Sequence, residues 1–388
     1  MIVTDQYQPM IGGVPTVTRN LAINIARRGH QVWLVTSSAG LRNTDYIEQK
    51  VHVFRFSSFE WPLYKGLRIP FFPFLISMHR LIRSIDPDIL HVHAPIVVGK
   101  MARYMAYNMH IPVIATNHFL PIYLSNSIVS KLRLDTYFNN HFYKFFISFY
   151  NKCTHVTAPT TTALNLLYER GLHVPSSTIS NGIDLHKFTP GDCDNYIRKY
   201  LHLPQDRPLV LLVNRLSKEK RIDVLLNAAA KMRGNGYIAL VGTGPAEAAL
   251  RSQADRLQLG NRVSFLGFVN EADLLALRSA SDVFVIASEA ELQSLATMEA
   301  MACGLPVIAA NACALPELVH HGKNGFLFEC GNSSMLAHYL DLLLADTGLR
   351  ARMKVESLKI IAQHDHLSVI DQWESLYEGC AARNHDER

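Results

Sequence analysis

Short apolar runs rich in branched and aromatic residues alternate along this chain with stretches of helical spacing, and the alternation occurs twice. In the first half, QVWLVTS, VHVFRF, ILHVHA and PVIATNH read as strands. Such runs are too short for helices and have the composition that suits a pleated, buried surface. Between a short strand ahead of Gly12 and QVWLVTS, VPTVTRNLAINIARRGH has helical periodicity and stops at Gly29, a residue suited to the position just past a helix end. A turn-rich stretch, SSTISNGIDLHKFTPGD, follows, and a boundary is expected near Asn181. The pattern then restarts with PLVLLVNRL, YIALVGTG, RVSFLGFV, DVFVIAS and LPVIAA, and HLSVIDQWESLYEGC near the end reads as an amphipathic helix. Strands alternating with helices predict parallel sheets covered by helices, so the expected class is α/β with two doubly wound domains. Such folds bind ligands in a cleft at the carboxyl ends of their strands.

Composition agrees with an ordered chain of that size: 388 residues, 48% hydrophobic and 18% charged. No uninterrupted apolar run reaches membrane-spanning length, and MIVTDQYQP lacks a basic region followed by an apolar one, so a cytoplasmic location is expected. Six cysteines occur without CxxC pairs, which suits reduced thiols and gives no zinc pattern. Charge changes the picture more. Residues 1–180 hold 17 Lys and Arg against 8 Asp and Glu, a balance of +9, whereas residues 181–388 hold 21 against 25, a balance of −4. An anionic partner for the first half follows, either a membrane surface or a nucleic acid, although uneven solvated faces would look the same. A nucleic-acid binder would show a dense basic run or an aromatic–basic motif, and neither is present.

Candidate chemistry sits at the strand ends. Gly12 and Gly13 precede a helix, where bare backbone and free amides suit a phosphate; a tight turn without a ligand would use the same pair. In VNRLSKEKRID, Arg215 and Lys220 lie five apart across a polar turn, which fits a diphosphate held by a bidentate guanidinium and a point charge. VGTGPAEAALR places Gly242 and Gly244 in a strand-to-helix turn that is only part of a dinucleotide fingerprint. Glu291 falls in a loop and Glu299 eight residues on, within a helix of Ala and Met. An acid there needs a partner: sugar hydroxyls would serve, and so would a neighbouring basic side chain. His118 follows a strand, its position being the reason to single it out among 18 histidines.

Together these residues resemble the family 4 glycosyltransferases, retaining enzymes of the GT-B fold with two Rossmann-like domains facing a central cleft. The likeness rests on GGV with the following helix to GH, on NGID, on Arg215-x-Ser-x-Glu-Lys220, on GTGP, on Glu291 and Glu299 in the EAMACGLPV block, and on LPELV with NGFLF. It implies an acceptor domain over 1–180, completed by a terminal helix over 365–388, and a nucleotide-sugar domain over 181–364. By the same likeness Arg215 and Lys220 grip the donor diphosphate, Glu299 bonds the ribose, Glu291 faces the transferred sugar, and His118 lines the sugar and acceptor side. Gly12, Gly13, Gly242, Gly244, Val269, Gln293, Ser294 and Leu295 would complete the donor site. No metal and no other cofactor is implied. Leu292-Gln293-Ser294 stands where the family commonly has Gly-Phe-Gly, and ACALPE replaces a frequent glycine pair, so sugar specificity does not carry over. A nucleotide-sugar epimerase and a non-catalytic nucleotide-sugar-binding protein are the alternatives.

Two segments of the basic half, 54–75 and 118–152, interleave aromatics with Lys65, Arg68, Lys131, Arg133, Lys144 and Lys152. They suit a surface that dips among anionic headgroups, and PLYKGLRIP resembles segments of glycolipid-forming members. Core packing is the competing reading for 137–150. The expected acceptor is therefore a lipid such as diacylglycerol or a glycolipid, and the expected donor is UDP-glucose or UDP-galactose. The enzyme would then be peripheral at the inner membrane face. A soluble or polyprenyl-linked saccharide is the other acceptor.

Overall fold

The computed structural model describes residues 1–10, 12–38, 40–61, 68–72, 74–119, 135–191 and 195–386. The chain divides into two units, Met1–Gly182 with Leu367–Arg388, and Ile183–His366.

The first unit is built on strands β1 (Ile2–Val3), β2 (Val32–Ser37), β3 (Thr44–Glu48), β4 (Val51–Phe56), β7 (Leu90–Val92), β8 (Val113–Thr116), β9 (His155–Ala158) and β10 (Ser176–Thr178), with β5 (Ser58–Glu60) and β6 (Arg68–Pro70) forming a separate antiparallel pair. The sheet order is β10-β9-β8-β7-β1-β2-β4-β3, parallel except where β3 runs against β4. β3, TDYIE, is nearly all exposed, and its polar residues keep an edge strand from pairing further. The helix Gly13–Arg27 buries Val17, Leu21, Ala22 and Ile25, a single face at helical spacing. It ends as its sequence predicts, with Gly29 at φ 104° just beyond Arg28. The helix His366–Asp386 buries Val369, Ile370, Trp373 and Cys380 in the same core as Ile2, Leu34 and Ile114.

The second unit is a six-stranded, fully parallel sheet: β11 (Leu209–Val213), β12 (Tyr237–Val241), β13 (Val263–Gly267), β14 (Val283–Ile286), β15 (Val307–Ala310) and β16 (Gly325–Phe328), in the order β13-β12-β11-β14-β15-β16. Residues 209–212, 238–240 and 283–286 are buried without alternation, as strands covered on both faces must be. The order reverses between β11 and β14, and at such a switch point the loops leaving the carboxyl ends diverge and open a crevice. Both units are thus Rossmann-like. Among the described residues no helix is long and apolar enough to cross a membrane.

Candidate functional site

The loops after β11, β12 and β14 carry most of the second unit's candidate residues. After β11, the Asn214 side-chain oxygen accepts the Arg215 amide at 2.9 Å and turns the chain. Arg215 is exposed, and among the described residues its guanidinium has no ion-pair partner. A single 3₁₀ turn, Lys218–Lys220, leads to Arg221, which takes a left-handed backbone conformation at φ 49° before the helix Ile222–Ala229. Lys220 Nζ donates to Glu291 Oε1 at 2.7 Å, with the two side chains only 12% and 10% exposed. Arg221 donates to Asp223 at 3.2 Å and also pairs with Glu289. Two basic residues of the β11 turn therefore fasten the loop after β14 at Glu289 and Glu291. The sequence singled out both Lys220 and Glu291 but not their mutual bond.

Gly242 and Gly244 have structural reasons to be glycine. Gly242 sits at φ 128°, where a Cβ would fall 1.9 Å from the Asn214 carbonyl oxygen, and a Cβ on Gly244 would lie 2.3 Å from that of Leu216. They let the turn after β12 press against the turn that presents Arg215. Val269 packs its side chain into the core. Ser294 caps the helix Leu295–Ala302, its hydroxyl accepting the Thr297 amide at 3.3 Å and the Thr297 hydroxyl at 2.9 Å. Gln293 is buried beside it, and Leu295 packs on the core.

Glu299 finds a protein partner. Arg278, from the helix Glu271–Ser279, reaches it with Nη2, and the guanidinium lies 5.4 Å from the Phe188 ring centroid. Burial raises the Glu299 pKa above the ordinary carboxylate value, and Arg278 pulls it back. Of the two partners open to this acid in the sequence, the basic side chain is present. Arg278 went unnoticed because its helix, EADLLALRS, reads as an ordinary amphipathic surface; nothing in it marks Arg278 as only 2% exposed.

In the first unit, Gly12 precedes the helix Gly13–Arg27 in an extended conformation that any residue adopts. A Cβ there would meet nothing nearer than Pro15 at 3.8 Å, so the fold itself does not demand glycine. Close approach of a ligand to the helix amides would. A cavity of about 740 Å³ adjoins this turn, lined by Gln8, Met10, Thr16, Ser38, Thr44 and Arg55 among others. On the same unit, Asp5 is buried and accepts the amides of Ile96, Val97, Val98 and Gly99 at 2.8–3.1 Å, fixing the start of the helix Val98–Asn108. Burial pushes its pKa up to about 6, and the four amides restrain the rise.

His118 lies beyond β8, with Nε2 2.9 Å from His93 Nδ1, and His93 in turn packs 4.0 Å from His91 between ring centroids. Burial is the main cause that holds all three below the ordinary histidine value, His118 at about 4. The sign of the consequence is fixed. Above pH 6.5 these rings are neutral folded or unfolded; between 6.5 and the depressed folded values only the unfolded chain takes up the protons, so stability falls with pH. Asp5 acts oppositely between about 6 and 3.8, since its folded pKa is the higher one. His155, His364 and the terminal amine are also held low, and only Glu299 joins Asp5 on the other side, so the unfolding midpoint is expected to drop on moving from pH 7 to 5.5. An unchanged midpoint over that interval would contradict the neutral histidine cluster.

In the described part of the aromatic segment 118–152, core packing, one of the two readings open for 137–150, holds for three of the aromatics, while Phe145 stays exposed. Phe146, Phe149 and Tyr150 are buried, and Tyr150 donates to Asn117 at 3.1 Å; Lys144 and Lys152 remain exposed. Arg68 is likewise turned inward, its guanidinium bonding the Ser38 carbonyl at 2.5 Å and the Ser58 hydroxyl at 3.0 Å. Lys65, Lys131 and Arg133 lie outside the described residues.

Comparison with known proteins accounts for the arrangement. The model for Glycosyltransferase Family 4 matches residues 11–187, and that for Glycosyl transferases group 1 matches 194–359. The chain is 28% identical over 383 residues to N-acetyl-alpha-D-glucosaminyl L-malate synthase of Bacillus anthracis, covering 95% of this chain and 94% of the relative. It is 27% identical over 354 residues to alpha-monoglucosyldiacylglycerol synthase of Acholeplasma laidlawii, covering 88% and 87%. The crystal structure of Anabaena Alr3699/HepE in complex with UDP-glucose has the same fold, with a TM-score of 0.78 at 23% identity over 97% of this chain and 99% of that one. Two adjoining models that together span most of the chain, two Rossmann-like units and relatives matched almost end to end agree: the chain belongs to the family 4, group 1 glycosyltransferases and is a glycosyltransferase of the GT-B fold.

Proposed function

We propose that the enzyme moves a hexose, glucose or galactose, from its UDP derivative to the hydroxyl of a lipid such as diacylglycerol or a glycolipid, with retention at the anomeric carbon. The bond between C1 and the diphosphate oxygen breaks, the acceptor oxygen bonds C1 from the same face, and the acceptor proton passes to the departing phosphate. Arg215 and Lys220 balance the charge that builds on the diphosphate, a contribution that preorganised cations supply efficiently. Glu291, fastened by Lys220, bonds sugar hydroxyls, and Glu299 bonds the ribose. These acids bind and do not flank the bond as the acid and nucleophile of a glycosidase would. Relatives of this chain are named for UDP-glucose binding and for glucosyldiacylglycerol synthesis, which supports both halves of the reading.

The observation that carries the lipid acceptor is a group of exposed apolar side chains on the first unit. Phe59, Trp61, Phe71, Phe72 and Ile76 are all exposed, Phe72 at 83%, although they stand close in sequence around the β5–β6 pair and the helix Phe74–Ile85. Exposed aromatics in a basic half suit a peripheral enzyme at an anionic membrane face, the inner one. Sedimentation with vesicles tests it. Wild type is expected to pellet with anionic vesicles at low salt and less so at high salt, and Phe72→Ser/Ile76→Ser is expected to remain in the supernatant. Equal recovery of both proteins in the supernatant would end the membrane reading and leave transfer itself untouched.

A second reading has its own observation. The cavity beside Gly12 has a mainly apolar lining but also presents Arg55 and the side chains of Thr16, Ser38 and Thr44, which suits a small hydroxylated or anionic acceptor, and one relative is named for L-malate. A screen of UDP-, GDP- and ADP-sugars against diacylglycerol, malate and saccharides, run in excess EDTA, separates the two. Transfer to lipid from a UDP-hexose without added metal is the expected result. The metal-independence rests on Arg215 and Lys220 as the charge-balancing groups; loss of turnover on chelation, restored by a divalent ion, would overturn it.

A further inference from the structure

The histidine cluster of the first unit contains one bond whose direction decides what His118 can do. His91, central in β7, has both ring nitrogens engaged, Nδ1 with the Tyr377 hydroxyl and Nε2 with the Thr116 hydroxyl, each at 2.7 Å. His93, two residues on, is different. Its Nδ1 meets His118 Nε2 at 2.9 Å, while its Nε2 is buried with no hydrogen-bond partner among the described residues. The rings of His93 and His118 lie nearly parallel, 13° apart with centroids at 5.2 Å.

Neutral imidazole carries one proton on two nitrogens, so a bond between two such rings has two possible directions. If His118 donated through Nε2, the His93 proton would sit on Nε2, a buried N–H with no acceptor. If His93 donates through Nδ1, its Nε2 is a bare lone pair. Orphaned buried donors are the rarer and costlier defect, so the second arrangement is favoured. His118 Nε2 is then the acceptor, and its own proton is on Nδ1. Among the described residues nothing bonds that Nδ1.

We propose that His93 is a positioning residue that fixes His118 as the Nδ1–H tautomer, so that His118 offers substrate a hydrogen-bond donor and not the lone pair of a general base. The inference rests on the reading that His118 meets substrate. Such second-neighbour bonds set which ring nitrogen of a histidine does chemistry.

The test begins with the unaltered enzyme. Protein labelled with ¹⁵N in its histidines is measured by long-range ¹H–¹⁵N correlation, with His118 assigned by its loss in His118→Gln. The His118 Nδ1 is expected at the protonated position and Nε2 at the bare one; a protonated Nε2 overturns the proposal. Two variants read the consequence. His93→Asn places an amide N–H where Nδ1–H stood and should hold kcat to within about fivefold, whereas His93→Leu should lower kcat on the order of 100-fold with little change in donor KM. Equal kcat in the Asn and Leu variants overturns the positioning role, and the tautomer measurement decides if the Leu variant does not fold. Full activity in His118→Gln would remove His118 from the site, sinking that part of the functional reading while the tautomer result stood.

Discussion

Arg215→Ala is expected to lower kcat/KM for transfer by about 10²–10³-fold, equivalent to about 3–4 kcal/mol in the transition state, while leaving unfolding unchanged. The reason for the second half is specific to this structure. Arg215 is exposed at the end of β11 and has no ion-pair partner among the described residues, so its removal breaks no bond that the fold uses. Lys220→Ala should show a similar loss of turnover but not the same stability. Lys220 is mostly buried against Glu291 at 2.7 Å, and its loss leaves a buried carboxylate without that charge, which costs up to about 3 kcal/mol. Urea denaturation of the two variants, beside steady-state kinetics, separates the roles. Full activity in folded Arg215→Ala would remove it from the site, and identical stability of the two variants would remove the argument about the Lys220–Glu291 pair.

Arg278→Leu is expected to destabilise the second unit by about 3–5 kcal/mol at pH 8. The guanidinium is almost fully buried between Glu299 and the Phe188 ring, and among the described residues its Nε is already without a partner. Removing it leaves Glu299, 21% exposed, without its direct partner and with only the charge of Lys187 to offset the burial that already raises its pKa. In the variant the folded pKa rises further above the unfolded one. The folded state then binds the proton more readily, so the loss is greatest at high pH and shrinks as pH falls and Glu299 becomes neutral. Unfolding midpoints at pH 8 and pH 5.5 check this. A loss below about 1 kcal/mol at pH 8, or one that grows toward pH 5.5, would show that the pair does not hold Glu299. The double variant Arg278→Leu/Glu299→Leu should regain part of the stability while remaining impaired in nucleotide binding.

The alternation of apolar runs and helical stretches was enough to place most strands, because strands buried on both faces must be continuous apolar runs and LVLLV, YIALV and VFVI have no other home. It did not find β3, β5, β6, β9, β10 or β16. Those are three to five residues long, and several are polar or at an edge, where pairing with a neighbour and not composition makes the strand. The final helix was legible from its periodicity, but its packing beside Ile2, Leu34 and Ile114 was not.

The candidate site divides along the same line. Residue type and spacing in VNRLSKEKRID and EAELQSLATMEAMACG marked Arg215, Lys220, Glu291 and Glu299 because charges beside strand ends and inside small apolar helices stand out in one dimension. Their partners do not. Glu291 is 71 residues from the lysine it binds, Glu299 is 21 from Arg278, and His118 is 25 from His93. Aromatics in FYKFFISFY look alike in sequence whether they face lipid or core, and only the packing of Phe146, Phe149 and Tyr150 decided for core. Sequence by itself determined the two α/β layers and the charged groups at their strand ends, since both follow from local periodicity and residue chemistry. Tertiary structure alone decided which charges are neutralised, which histidines share a proton and which apolar side chains stay exposed, because each depends on the solvent and partners that distant segments supply or exclude.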